Sequence, residues 1–186
     1  KYTVNLTVKN VSSTYAMTVN VPEEIIPTFY VTNGFDEAGA DILGDELTAV
    51  KGDTTDGMTS YTVNYPTNAQ FISVREDGKG MAIPVAENGT VILKNVSVTK
   101  VNFAKETIEG TVSVAYANGG TSAVAAGKED EFLLLAGAEY TYTVVPKDTG
   151  TYANGTKKAV LTADDTEVEV EVLYKNPKTI TVTTGG

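Results

Sequence analysis

Residues 60–95 read SYTVNYPTNAQFISVREDGKGMAIPVAENGTVILKN, and residues 141–176 read TYTVVPKDTGTYANGTKKAVLTADDTEVEVEVLYKN. The two segments have equal length and align without a gap at an offset of 81 residues. Residues 61–63 then fall on residues 142–144, and a Lys-Asn pair ends both segments. Self-similarity at a fixed offset predicts repeated structural units.

A third Lys-Asn site lies near the start of the sequence. Residues 6–12, LTVKNVS, resemble residues 91–97, VILKNVS, at an offset of 85 residues. We interpret each Lys-Asn pair as a module boundary that follows a last strand. The sequence therefore predicts a first β-sandwich module over residues 1–95, a second over 96–176, and a terminal strand or linker over 177–186.

The pattern inside these modules is that of β-strands. Alternation of apolar and polar residues predicts half-buried strands at residues 2–8, 15–21, 61–65, 90–93, 111–116, 140–145, 168–172 and 179–183. Turn-forming residues stand between them, at Asn33-Gly34, Asp77-Gly78, Asn88-Gly89, 118–120 and Asn154-Gly155. Many short strands separated by turns predict an all-β fold of two tandem antiparallel modules, each a β-sandwich or a barrel.

The composition excludes several classes of function. The 186 residues carry a net charge of −10 and contain no Cys, His or Trp. Without Cys or His there is no thiolate zinc site and no histidine general base, so we predict that the protein is not an enzyme. The negative charge opposes binding to nucleic acid, and no apolar run is long enough for membrane insertion.

Residues 137–145, GAEYTYTVV, and 150–172, GTYANGTKKAVLTADDTEVEVEV, resemble the C-terminal half of PEGA-like and carboxypeptidase-regulatory-like β-sandwich repeats. The likeness lies in a Gly-x-x-Tyr-Thr strand, a Tyr-containing loop, an acidic turn and a final alternating strand. The usual Gly-Tyr is Gly150-Thr151-Tyr152 in this sequence. The resemblance implies an Ig-like or prealbumin-like sandwich in a multi-module bacterial cell-surface protein.

Three kinds of site are considered. Asp53 and Asp56, followed by Gly57, have a spacing that a calcium loop uses, although a solvated loop is the alternative, and calcium is the one cofactor considered. The rings of Tyr61, Tyr65, Tyr140 and Tyr142 share strand faces and either pack in the sheets or form a carbohydrate platform. A Lys–Asn isopeptide bond, known in Gram-positive stalk domains, needs a Lys, an Asn and an acid buried together, and no spacing selects such a trio.

The alternating residues Tyr2, Val4, Leu6 and Val8 form a predicted assembly strand. A lone strand needs a partner, and an open sheet edge is a template for pairing. Residues 1–9 are therefore an exchanged strand, the last strand of a preceding module, or an ordinary first strand. Each of these alternatives places the segment in a sheet, and they differ in which copy or module supplies the partner.

The predicted function is that of a non-catalytic structural module pair in a secreted, extracellular cell-surface protein: a stalk, spacer, adhesin or pilus-like filament subunit. Its expected partners are neighbouring modules or copies of itself, bound head-to-tail or by strand addition. The alternative is a carbohydrate-binding accessory module of an extracellular polysaccharide-degrading system, which would take a glycan ligand.

Overall fold

The computed structural model describes residues 13–117, 124–125, 130–176 and 185, which form β-strands and turns without an α-helix. The all-β prediction is therefore confirmed for these residues. In chain order the strands are β1 (Thr14–Pro22), β2 (Thr28–Phe35), β3 (Asp41–Glu46), β4 (Ala49–Thr55), β5 (Met58–Pro66), β6 (Phe71–Glu76), β7 (Lys79–Pro84), β8 (Thr90–Val101), β9 (Gly110–Tyr116), β10 (Val124–Ala125), β11 (Glu131–Leu135), β12 (Glu139–Pro146), β13 (Gly155–Val160) and β14 (Glu167–Glu171).

The strands form three sheets. In the first, β11, β8, β1, β5 and β4 lie side by side, and β14 also pairs with β8. The second has the order β10-β7-β6-β2-β3, and the third has the order β13-β12-β9. The pairs β1–β8 and β8–β14 are parallel, whereas the other ladders are antiparallel.

The long strand β8 connects the two halves of the chain. Its residues 90–92 pair with residues 18–20 of β1, and its residues 97–101 pair with β14. The carbonyl of Gly89 accepts from the Thr18 N–H, and the Ser97 N–H donates to Thr166. Backbone N–H and C=O groups that are an even number of residues apart face the same edge of a strand, and this holds for Gly89 and Ser97. β1 and β14 therefore lie along the same edge of β8. The predicted boundary at Asn95 falls inside this strand.

The same order of strand pairing occurs on both sides of β8. In the N-terminal half, β1 is parallel to β8 and antiparallel to β5, and β6 joins β2 to β7. In the C-terminal half, β8 is parallel to β14 and antiparallel to β11, and β12 joins β9 to β13. By pairing, β11 therefore corresponds to β5, β12 to β6 and β13 to β7.

This correspondence differs from the gapless alignment of the sequence. The alignment equates residues 61–65 with 142–146, but β5 pairs with β1 and β4 whereas β12 pairs with β9 and β13. Lys94 lies within β8, whereas Lys175 follows β14. The predicted strand equivalence is wrong, because a Tyr-Thr-Val segment fits any strand with one buried face and does not specify which neighbours that strand has.

Two strands at the junction of the halves are buried on both faces. In β7 every residue from Lys79 to Ile83 is buried, and in β11 so are Phe132, Leu133 and Leu134. Successive side chains of a strand point to opposite faces, so both faces of each strand are covered. β10 pairs with the edge of β7, and the Tyr116 hydroxyl donates to the Ala82 carbonyl at 3.0 Å. One hydrophobic cluster extends through both halves.

Of two predicted turns, one closes a hairpin and the other lies within a strand. Asp77 and Gly78 have positive φ and close the β6–β7 hairpin, as residues of a two-residue turn require. Asn33-Gly34, predicted as a turn, lies inside β2 instead, where the pairing with β3 shifts register. The positive φ of Gly34 is used by an irregularity within a strand.

Candidate functional site

The predicted calcium residues lie on an exposed hairpin. Asp53 is in β4, and Asp56 forms with Gly57 the positive-φ turn to β5. Both acids are exposed, and among the described residues no group of three or more acidic side chains is arranged to hold a metal. Because Ca²⁺ takes about six to eight oxygen ligands, two surface acids supply too few, and the calcium site stays a prediction.

The four tyrosines lie in the core, which favours packing in the sheets over a carbohydrate platform. Tyr65, Tyr140 and Tyr142 are no more than 1% exposed, and Tyr61 is 9% exposed. These tyrosines fill the space between sheets and leave no ring face to stack on a sugar. Burial raises the pKa of Tyr140 above its ordinary value and raises that of Tyr142 to about 12.

The two buried tyrosines of β12 differ in their hydroxyl contacts. The Tyr140 hydroxyl accepts the Leu135 N–H at 2.9 Å and lies 3.4 Å from the Met81 sulfur. The Tyr142 hydroxyl has no hydrogen-bond partner among the described residues. Tyr140 is therefore a polar link between β12, β11 and β7, whereas Tyr142 contributes its ring alone.

Asp164 and Asp165 lie in the turn that precedes β14, which the Asp165 N–H closes by donating to the Thr162 carbonyl. The Asp165 carboxylate accepts the Thr162 N–H at 2.6 Å, and this hydrogen bond holds the pKa of Asp165 below its usual value.

The predicted assembly residues Tyr2, Val4, Leu6 and Val8 lie outside the described residues.

The structure brings together a lysine, an asparagine and an acid that the sequence did not single out. The Lys79 Nζ lies 3.4 Å from the Asn95 Oδ1 and 3.1 Å from the Glu131 Oε2. The Glu131 side chain is 43% exposed, and condensation to an isopeptide bond requires an acid shielded from water that carries a proton. The trio therefore acts as an ion pair between β7 and β11, with the asparagine as a further acceptor.

Two open grooves are described, and the smaller, lined by Glu109, Thr111 and Lys147, holds an ion pair between Glu109 and Lys147 that is exposed to solvent. The larger open groove has a volume of about 590 Å³ and is lined by apolar residues, backbone and two threonines, including Ile92, Leu135 and Val160. An active site needs an acid, base or nucleophile aimed at a bound substrate, and the lining of this larger groove has none.

In the part of the chain that the structure describes, no helix has the length and apolar character needed to cross a bilayer.

The edge strands are the remaining candidate surfaces: β4 ends the first sheet, and β13 and β3 are the two edges that carry exposed charges of opposite sign. β13 ends the third sheet and presents exposed Lys157, Lys158 and Val160. β3 ends the second sheet and presents exposed Ile42 and Leu43 together with two exposed acids, Asp45 and Glu46. An unpaired strand edge is a template for another strand, so these edges are the described features best suited to contact a further chain.

Comparison with known proteins finds structural likeness only. No family model and no curated protein matches the chain. The shaft pilin SpaA from Lactobacillus rhamnosus GG is 11% identical with a TM-score of 0.34, over 89% of this chain and all of that one. The Bacillus anthracis TIE protein is 15% identical with a TM-score of 0.29, over 87% of this chain and 34% of that one.

A C-terminal fragment of the pilus adhesin SpaC from L. rhamnosus GG is 8% identical with a TM-score of 0.29, over 90% of this chain and all of the fragment. Two of the three are named as pilus proteins, a shaft pilin and a pilus adhesin. At such TM-scores they carry no weight for the function of this chain, and the resemblance to PEGA-like repeats stays a prediction.

Proposed function

We propose that the chain is a non-catalytic, load-bearing structural segment of an extracellular bacterial surface protein, such as a stalk, spacer or filament subunit. The observation that carries this proposal is the direction of three strands. β1, β8 and β14 all run the same way, with β1 beside the start of β8 and β14 beside its end. β1 thus begins near one end of β8, and β14 ends near the other.

This arrangement suits a protein that is pulled at its ends. From the level of Thr14 to the level of Glu171 the paired strands cover about 50 Å, at about 3.3 Å per residue. Force applied to the start of β1 and the end of β14 acts along the strands, so the hydrogen bonds of each parallel pair are loaded together. When a hairpin is pulled open from one end, by contrast, its hydrogen bonds break one after another.

We further propose two tandem sandwich modules, over residues 1–95 and 96–176. The pairing order that occurs on both sides of β8 supports this division, with β8 as the last strand of one module and the first of the next. A shared strand leaves no flexible linker at the junction, and the Lys79–Glu131 ion pair at 3.1 Å bridges it from the side. Such a junction keeps a spacer stiff.

The extracellular role is tested by location. Antibodies raised against the folded segment should label intact cells of the organism that makes it, and protease added outside should remove the label. Labelling that requires permeabilised cells would contradict the proposal. A cytoplasmic protein of known location serves as the control for cell integrity.

A further inference from the structure

The contact between the two halves uses one edge strand of each. β10 pairs antiparallel with the edge of β7, with Val124 opposite Met81 and Ala125 opposite Gly80. Beside this ladder Lys79 forms its ion pair with Glu131. A short strand on a sheet edge, together with a lysine and an acid, therefore joins the C-terminal half to the N-terminal half.

β7 and β10 each have a counterpart in the other half of the chain. Among the described residues, neither counterpart has a second strand paired along its outer edge. β13 corresponds to β7, since both complete the hairpin that follows the middle strand of their sheet. β3 matches β10 in chain position, since both directly follow the second strand of their half, although β4 stands between β3 and the strand antiparallel to β1. β13 pairs only with β12, and β3 only with β2.

The exposed chemistry of these two edges is complementary. β13 presents two lysines, Lys157 and Lys158, and the 55% exposed Val160. β3 presents Asp45 and Glu46 with Ile42 and Leu43, which are 47% and 40% exposed. Lysines on an edge strand oppose pairing with other strands, because their charges would be brought close to the partner strand and away from water. An acidic strand can pair with them, since its carboxylates balance the lysine charges.

The present contacts of the lysines do not prevent this pairing. Lys158 lies 3.4 Å from the Glu139 carboxylate, and Lys157 donates to the Glu169 carbonyl at 3.1 Å. Both contacts are exposed to solvent, and exposed contacts of this kind are weak, so they exchange readily for others.

We infer that β3 of one copy of this chain pairs antiparallel with β13 of a second copy, which repeats between molecules the contact that β10 and β7 make within one. The two surfaces differ, so the contact is head-to-tail and adds copies without closing. This inference rests on the proposed structural role and names the surfaces through which copies assemble.

Charge reversal tests the contact. Sedimentation velocity over a concentration series should show self-association of the wild-type chain. Lys157→Glu with Lys158→Glu should weaken it at least about tenfold, and so should Asp45→Lys with Glu46→Lys, because like charges then face each other. An equimolar mixture of the two variants should assemble again, since both of its mixed junctions pair acid with base.

The control is Lys51→Glu with Lys147→Glu, which has the same net charge as the first variant but changes neither β3 nor β13. Its self-association should be closer in strength to that of the wild type than to that of either charge-reversed edge variant. Wild-type association that the edge variants leave unchanged, or a mixture that stays apart, would overturn this contact without touching the proposed surface role. A wild-type chain that stays monomeric at every concentration would also overturn the proposed contact between β3 and β13. The proposed surface role is tested separately, by the antibody labelling of intact cells.

Discussion

Removal of one hydroxyl from each of two neighbouring core tyrosines should have opposite effects on stability. Tyr140 and Tyr142 are both fully buried on the same face of β12. The Tyr140 hydroxyl accepts the Leu135 N–H at 2.9 Å, whereas the Tyr142 hydroxyl has no partner among the described residues. Tyr140→Phe and Tyr142→Phe therefore remove the same atom from two different polar environments.

The magnitude follows from what each substitution leaves behind. Tyr140→Phe keeps the ring, which stacks on Tyr116 at 5.1 Å, but leaves the Leu135 N–H without its acceptor. An unpaired buried donor costs about 1–3 kcal/mol. Tyr142→Phe removes an unsatisfied buried oxygen, so the free energy of unfolding should stay unchanged or rise by up to about 1 kcal/mol.

Equilibrium urea unfolding followed by circular dichroism measures both variants against the wild type. A loss of about 2 kcal/mol in Tyr140→Phe should lower the melting temperature by about 4–8 °C for a chain of this size. Equal destabilisation by the two substitutions, or a Tyr140→Phe protein as stable as the wild type, would refute the assignment of the Tyr140 hydroxyl as a structural acceptor.

Three further outcomes are expected. Gly80→Ala should cost about 3 kcal/mol or more in urea unfolding, because Gly80 has a φ of 154° and an added Cβ would overlap the Val74 carbonyl oxygen; a loss below about 1 kcal/mol contradicts this. Glu131→Gln should cost about 1 kcal/mol at low salt and less at high salt, since its ion pair with Lys79 is partly solvated; an effect independent of salt speaks against the pair. Because the pKa of Tyr142 is raised to about 12 in the folded protein, stability should be fully present below pH 10 and should fall between about pH 10 and 12, with a smaller fall in Tyr142→Phe, and an equal fall in both proteins rejects the assignment.

The strands that the sequence predicts are those with one buried face. β1, β5, β9, β12 and β14 alternate apolar with polar residues because each has one face in the core and one toward solvent.

The strands that the sequence misses break this alternation for physical reasons. In β7 and β11 both faces are buried at the junction, so apolar residues stand side by side, as in Phe132 to Leu134. β13 has exposed lysines at successive positions, so it lacks an apolar face long enough to recognise.

The candidate surfaces depend on pairing, which local sequence does not encode. Lys157 and Lys158 read as ordinary surface lysines until β13 is known to occupy the position that β7 occupies in the other half. The same holds for the trio of Lys79, Asn95 and Glu131, whose members come from three strands far apart in sequence. The four tyrosines were correctly placed on strand faces, but a face pattern alone does not say which face is buried.

Single-molecule pulling in two directions tests the load-bearing role most directly. The chain has no native cysteine, so pairs of introduced cysteines define the points of force. Ser13→Cys with Lys175→Cys loads the parallel pairs β1–β8 and β8–β14 along their length, whereas Ala138→Cys with Thr162→Cys pulls apart the open end of the β12–β13 hairpin and unzips it toward its turn. We predict a clearly higher unfolding force for the first pair at the same pulling speed. An end-to-end force equal to or below the hairpin-opening force would contradict the proposal that this fold is built to carry tension.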